Sequence, residues 1–105
     1  MEQPNLSYIN DLAGDDDAFR AKLIAVIKNE LPAEIAEYQN NLDSQNYTAA
    51  AGNVHKLKHK ISVMGMEKSY YLAENFEDEL KNNQTGLAAE FEAVLNAMQN
   101  FANEL

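Results

Sequence analysis

Apolar residues recur at spacings of three and four along nearly the whole chain, the period of the α-helix, and only four glycines and two prolines interrupt them. The pattern predicts an all-α fold. A short first helix is expected near Leu6 to Leu12, ending at Ala13-Gly14. Asp15, Asp16 and Asp17 then supply an N-cap and first-turn acids for a second helix, because carboxylates satisfy free backbone N–H groups and suit the positive end of the helix dipole. That helix carries a stripe of Phe19, Leu23, Val26 and Ile27 and meets Pro32, which either kinks it or opens a separate segment bearing Ile35, Tyr38 and Leu42. The polar run "DSQN" at 43–46 breaks the pattern.

The next helix is expected from about Tyr47 to Met64, with Tyr47, Ala50, Val54, Leu57, Ile61 and Met64 forming a seam suited to a bundle. Gly65 is placed to end it. A further helix, about Glu67 to Asn82, should bury Leu72, Ala73, Phe76 and Leu80. After the turn "NNQTG", with Thr85 as N-cap, the last helix holds one stripe of Leu87, Phe91, Val94, Leu95, Met98, Phe101, Ala102 and Leu105. Four amphipathic helices can cover one another's stripes, so the expected architecture is an up-down four-helix bundle with a short additional N-terminal helix. With no repeat or linker, residues 1–105 read as a single domain.

Composition narrows the function classes. With 46% hydrophobic and 24% charged residues the chain has enough apolar surface to fold. It has no cysteine, which removes thiolate nucleophiles, disulfides and zinc–thiolate sites and fits a reducing, cytoplasmic setting. No segment approaches a membrane span and the N-terminus has no targeting pattern, so the chain reads as soluble. The net charge is -9, yet residues 55–68 carry +3 between flanks of -6 each. One small basic patch is too little for phosphate-backbone binding, so nucleic acid is not expected as the main partner. A small anion or an acidic protein surface suits it better.

The patch is "HKLKHKISVMGM", residues 55–66, and it holds both histidines of the protein. At 100° per residue His55 lies about 130° from the seam centre, His59 about 170° and Lys58 about 70°. His55 is thus expected in water, with the Lys58 ammonium also reaching solvent one turn away. Gly52, one turn before His55, costs about 1 kcal/mol relative to alanine inside a helix and clears bulk from that side. Exposed histidines and lysines on a wet helix face are ordinary. Against that background four chemistries can be weighed. A Ser–His–Asp triad needs a buried carboxylate behind the ring, and none is near in sequence. His55 and His59 have the i, i+4 spacing of a shared metal, but the adjacent lysines should repel a cation, so no metal is expected. No glycine-rich loop exists to cradle a nucleotide. Nucleophilic catalysis by imidazole remains: neutral His55 takes up a phosphoryl group and later gives it away, with Lys58 compensating charge.

At these residues the chain resembles the histidine-containing phosphotransfer (HPt) domain of phosphorelays, whose pattern of His, any residue, Leu, Lys, Gly and a later Gly is matched at His55, Leu57, Lys58 and Gly65. The approach "DDDAFRAKLIAVIKNELPAEIAEYQNNLDSQNYTAAAGNVH" and the following "YYLAENFEDELKNN" are also similar, so about 85 of the 105 residues are covered. The resemblance implies a phosphocarrier rather than an enzyme, holding no cofactor or metal. In it His55 is the phospho-accepting residue, Lys58 stabilises the phosphate and Gly65 turns the central hairpin. Its partners would be response-regulator receiver domains, including those of hybrid histidine kinases. The chain departs from the pattern at His59, which stands where the family usually has glycine. His59 is therefore a modulator: its bulk would hinder docking, and its N–H would donate to a phosphoryl group. The competing function is a helical interaction module that has lost transfer competence.

Overall fold

The computed structural model describes residues 2–105 and contains, among them, five helices and no strand. They are α1 (Ser7–Ala13), α2 (Asp17–Asp43), α3 (Tyr47–Val63), α4 (Glu67–Lys81) and α5 (Ala88–Asn103). α3 packs on α2 and α4, and α5 packs on the same two helices, so the four long helices close into a ring. α1 lies against α2. The molecule measures 45 × 23 × 19 Å. Its long axis follows from α2, whose 27 residues span about 40 Å at 1.5 Å each. No helix among the described residues is long and apolar enough to cross a membrane.

α2 begins where the aspartate run places it, with Asp16 accepting a hydrogen bond from the Phe19 N–H at 2.9 Å. It continues through Pro32 without a second start, so the two alternatives at that proline resolve to one helix. Proline inside a helix costs about 3 kcal/mol or more, offset here by a buried face that runs through it: Ile27, Leu31 and Tyr38 are all buried. The expected stripe needs correction at its start. Phe19 and Val26 are 39% and 43% exposed, while Leu31 is fully buried. Val26 lies about 100° round the helix from Ile27, and both cannot face one neighbour.

α3 keeps the whole expected seam. Ala50, Val54, Leu57, Ile61 and Met64 are fully buried, and Tyr47 packs half-buried at the start beside the Asn46 N-cap. The helix ends in a Schellman motif. The Met66 N–H returns to the Ile61 carbonyl and the Gly65 N–H to that of Ser62, with Gly65 at φ 75°. A β-carbon at Gly65 would also meet the Asn5 side-chain oxygen at 2.5 Å. Asn5 sits there because its own N–H donates to the Met64 carbonyl, which ties the N-terminal segment to the α3–α4 turn.

Two helix starts are capped from a distance. The Glu2 carboxylate accepts from the Lys68 and Ser69 N–H groups at 3.0 and 2.8 Å, serving the open end of α4. These bonds hold the Glu2 carboxyl below its ordinary range even though burial alone would raise it. At α5 the expected cap, Thr85, does not act. The Leu87 N–H donates instead to the Glu79 carboxylate at 2.9 Å, because the turn folds back over the last turn of α4. The core these helices enclose is centred on Tyr38, Phe76 and Phe91, one ring each from α2, α4 and α5, with centres 5.2–6.2 Å apart. On α4, Leu72 is only half-buried, and Ser69 and Glu77 join Ala73, Phe76 and Leu80 on the buried face.

Candidate functional site

The pair α3 and α4 builds the site. His55 stands in the middle of α3 on its outer face, with 58% of its side chain exposed. Its Nδ1 lies 3.2 Å from Oε1 of Glu77 on α4. Glu77 is buried, and the same Oε1 also accepts from the Lys58 ammonium at 3.0 Å, while Oε2 faces Lys81 at 3.1 Å. The Lys58 ammonium additionally lies 5.6 Å from the centre of the Tyr70 ring, within cation–π range.

One carboxylate thus serves three nitrogens. Burial would raise the Glu77 pKa, but hydrogen bonds from Lys58, Lys81 and His55 outweigh it, and the group is held below its ordinary range. Burial would likewise lower Lys58, and the bond to Glu77 reverses that, so its pKa is raised. With an ionised carboxylate against Nδ1, the neutral His55 ring carries its proton there. The lone pair is left on Nε2.

This geometry corrects two expectations. The helix phase puts the Lys58 ammonium in water, yet only 10% of its side chain is exposed. The flank about 70° from the seam of α3 is covered by α4, and Glu77 draws the ammonium inward. The carboxylate behind the imidazole, absent from the nearby sequence, is Glu77. No hydroxyl among the described residues hydrogen-bonds to His55, so the arrangement lacks the nucleophile of a triad. Glu77 carried one sequence signal: it follows Phe76 and precedes Leu80 on an apolar face, where a lone carboxylate demands a partner.

The basic patch is also smaller than its sequence suggests. The Lys60 ammonium lies between Glu30 and Glu34 of α2 at 2.9 and 2.7 Å, and Lys58 shares the Glu77 carboxylate with Lys81, so three lysines meet three carboxylates within the fold. Lys56 and Lys68 are exposed and form no ion pair among the described residues. His59 is exposed one turn from His55, ring centres 5.7 Å apart and planes at 74°. It lines an open groove of about 820 Å³ with Tyr8, Asp11, Ser62, Tyr70 and Tyr71. On the other side of His55 a β-carbon at Gly52 would meet nothing within 4 Å, so packing within the fold does not require glycine there.

A family model described as the Hpt domain matches residues 22–104, most of the chain. The chain belongs to the Hpt-domain family. The match begins within α2 and runs through α5, leaving α1 and the N-terminal segment outside it. No curated protein and no solved structure gives a significant match. Hpt domains are histidine phosphotransfer modules of two-component signalling, phosphocarriers rather than enzymes, and they interact with response-regulator receiver domains. The all-α bundle expected from the sequence is the architecture of this family.

The buried ion pair makes Lys58 a stability residue as well as a site residue. Lys58→Ala should lower unfolding free energy by about 1–3 kcal/mol, the cost of leaving a buried charged group one hydrogen bond short. A surface substitution would stay within about 0.5 kcal/mol. Urea unfolding distinguishes the two, and a change within the surface range would show that the ammonium leaves Glu77 in solution.

Proposed function

We propose that this Hpt domain is a phosphorelay carrier in which His55 accepts a phosphoryl group from a receiver-domain aspartate and passes it to a second receiver. The observation that carries the reading is the Glu77 contact at His55 Nδ1, which leaves the lone pair on Nε2 of a ring that stands exposed on a helix. In transfer, Nε2 attacks phosphorus, an N–P bond forms, and the P–O bond to the aspartate breaks, returning that residue as a carboxylate. The ring then bears a positive charge with its proton on Nδ1, and Glu77 lies 3.2 Å from that proton's nitrogen to stabilise it. Phosphoryl transfer needs positioning and charge compensation above all, and Lys58 supplies a cation one turn from His55. An ammonium about 4 Å from a phosphoryl oxygen contributes roughly 1 kcal/mol in water and about 4 when a docked partner lowers the dielectric to about 20.

In this reading residues 1–105 work as one carrier domain in the cytoplasm, and the receivers of hybrid histidine kinases are among its donors. His59, in the family's glycine position and beside His55, modulates docking. That same residue favours a second reading, an Hpt fold kept for binding alone. Incubation with a phosphorylated receiver domain separates them. A carrier takes up label that is acid-labile and alkali-stable, as an N–P bond is. Label that stays on the receiver until it is hydrolysed there would leave the binding module as the function.

A further inference from the structure

The two exposed imidazoles have a second chemistry. His55 and His59 stand at i, i+4 on α3, the spacing at which two histidines on one helix face can share a metal ion. Imidazoles bound to a tetrahedral ion at about 2.05 Å each have ring centres roughly 5.2 Å apart. The two rings here are 5.7 Å apart before any ion draws them together. His55 already has the support a metal-ligating imidazole needs, since Glu77 holds its Nδ1 and leaves Nε2 free, the carboxylate–histidine–metal arrangement that fixes tautomer and raises ligand basicity.

The adjacent lysines were the sequence's argument against a cation, and the fold removes most of it. Lys58 and Lys81 share the Glu77 carboxylate and Lys60 is held by Glu30 and Glu34, so these three ammoniums meet three carboxylates and Lys56 remains as the exposed ammonium, unpaired among the described residues, on this stretch of α3. The ligand set is two imidazole nitrogens with water completing the shell, because no cluster of three metal-ligating side chains exists among the described residues. Two imidazoles suit Zn²⁺ or Cu²⁺ and not the hard ions Mg²⁺ and Ca²⁺.

We infer that His55 and His59 form an exchangeable site for a borderline divalent cation such as Zn²⁺, and that the ion occupies the nitrogen that would otherwise take the phosphoryl group. Binding stands on the geometry alone. The competition rests on His55 being the phosphoryl acceptor, as proposed above. The family's glycine at position 59 would leave a single histidine, so the site would be this chain's own addition to the fold.

Calorimetric titration with ZnCl2, followed in parallel by the histidine ring protons in NMR spectra, tests the site. Wild type should bind one ion, with the His55 and His59 signals shifting together. Zn²⁺ should also raise the melting temperature, since the pair is assembled only in the folded helix. His59→Ala, an exposed change that leaves the fold intact, should weaken binding at least tenfold, because even outer-shell partners of a metal ion are worth about 10–100-fold. Mg²⁺ at the same concentrations should give no shift of either ring. Equal Zn²⁺ affinity in wild type and His59→Ala would overturn the two-histidine site. In the transfer assay at fixed Mg²⁺, Zn²⁺ should slow labelling of wild type and leave His59→Ala at its own zinc-free rate. Binding without slowing would overturn the competition. Absence of label in both proteins without zinc would sink the carrier reading, while the titration would still decide the metal site.

Discussion

His55→Gln should abolish phosphoryl uptake from a receiver domain while leaving unfolding free energy within about 0.5 kcal/mol of wild type. The structural effect is small because more than half of the His55 side chain is exposed, glutamine is a good helix former, and Glu77 retains both lysines. The functional effect is total because an amide nitrogen has no lone pair available for attack on phosphorus. The neighbouring histidine is no substitute. Its offsets place Lys60, Ile61 and Ser62 where His55 has Lys56, Leu57 and Lys58. Lys60 is bound to Glu30 and Glu34, Ile61 is buried, and no carboxylate among the described residues pairs with the His59 ring. His59→Ala should therefore still take label. Label persisting in His55→Gln and vanishing in His59→Ala would move the acceptor to His59 and overturn the assignment.

Glu77→Ala should be the most damaging change at the site for stability. It leaves the Lys58 ammonium without an anion in a site where 10% of its side chain reaches solvent, and it removes the group that holds His55 and Lys81 nearby. Breaking a buried pair from one side costs about 3–5 kcal/mol. Transfer should slow as well, because the His55 ring loses its fixed tautomer. The pH dependence has a defined sign. The Glu77 pKa is lowered from 4.5 in the folded state, so its contribution is present above 4.5 and is lost as pH falls through the folded value. The Lys58 pKa is raised from 10.5, so its contribution is present below 10.5 and is lost as pH rises through the folded value. The stability gap between wild type and Glu77→Ala should accordingly narrow on acidification below 4.5. Urea unfolding across that range measures it. A gap that stays level into strong acid would show that Glu77 stabilises by packing and not by charge.

The parts of the fold that were legible in the sequence are those set within one helix. The seam of α3 was, because burial of Ala50, Val54, Leu57, Ile61 and Met64 follows from one period repeated without a rival. The same phase put His55 on the outer face, where it lies. α2 was less legible, since Phe19 and Val26 offer a second apolar direction beside the true one through Ile27, Leu31 and Tyr38. Periodicity cannot rank two such faces; the neighbouring helix decides between them. Pro32 was undecided for a related reason: a proline's local penalty fixes neither a kink nor a break when a continuous buried face opposes it.

The surroundings of the histidine were decided by contacts between distant parts of the chain. Glu77 is 22 residues from His55, and Lys60 meets Glu30 and Glu34 from 30 and 26 residues away. Glu2 reaches Ser69 across 67 residues. The sequence alone determined the all-α class, the exposed imidazole and the lysine one turn beyond it, because those depend on local hydrogen bonding and the angular step of the α-helix. The packing of α4 along one flank of α3 decided that Lys58 is buried and that a carboxylate holds His55, and the packing of α2 on the other decided that Lys60 is paired. A charge is placed in water or out of it by which helix covers it, and that is a property of the assembled bundle.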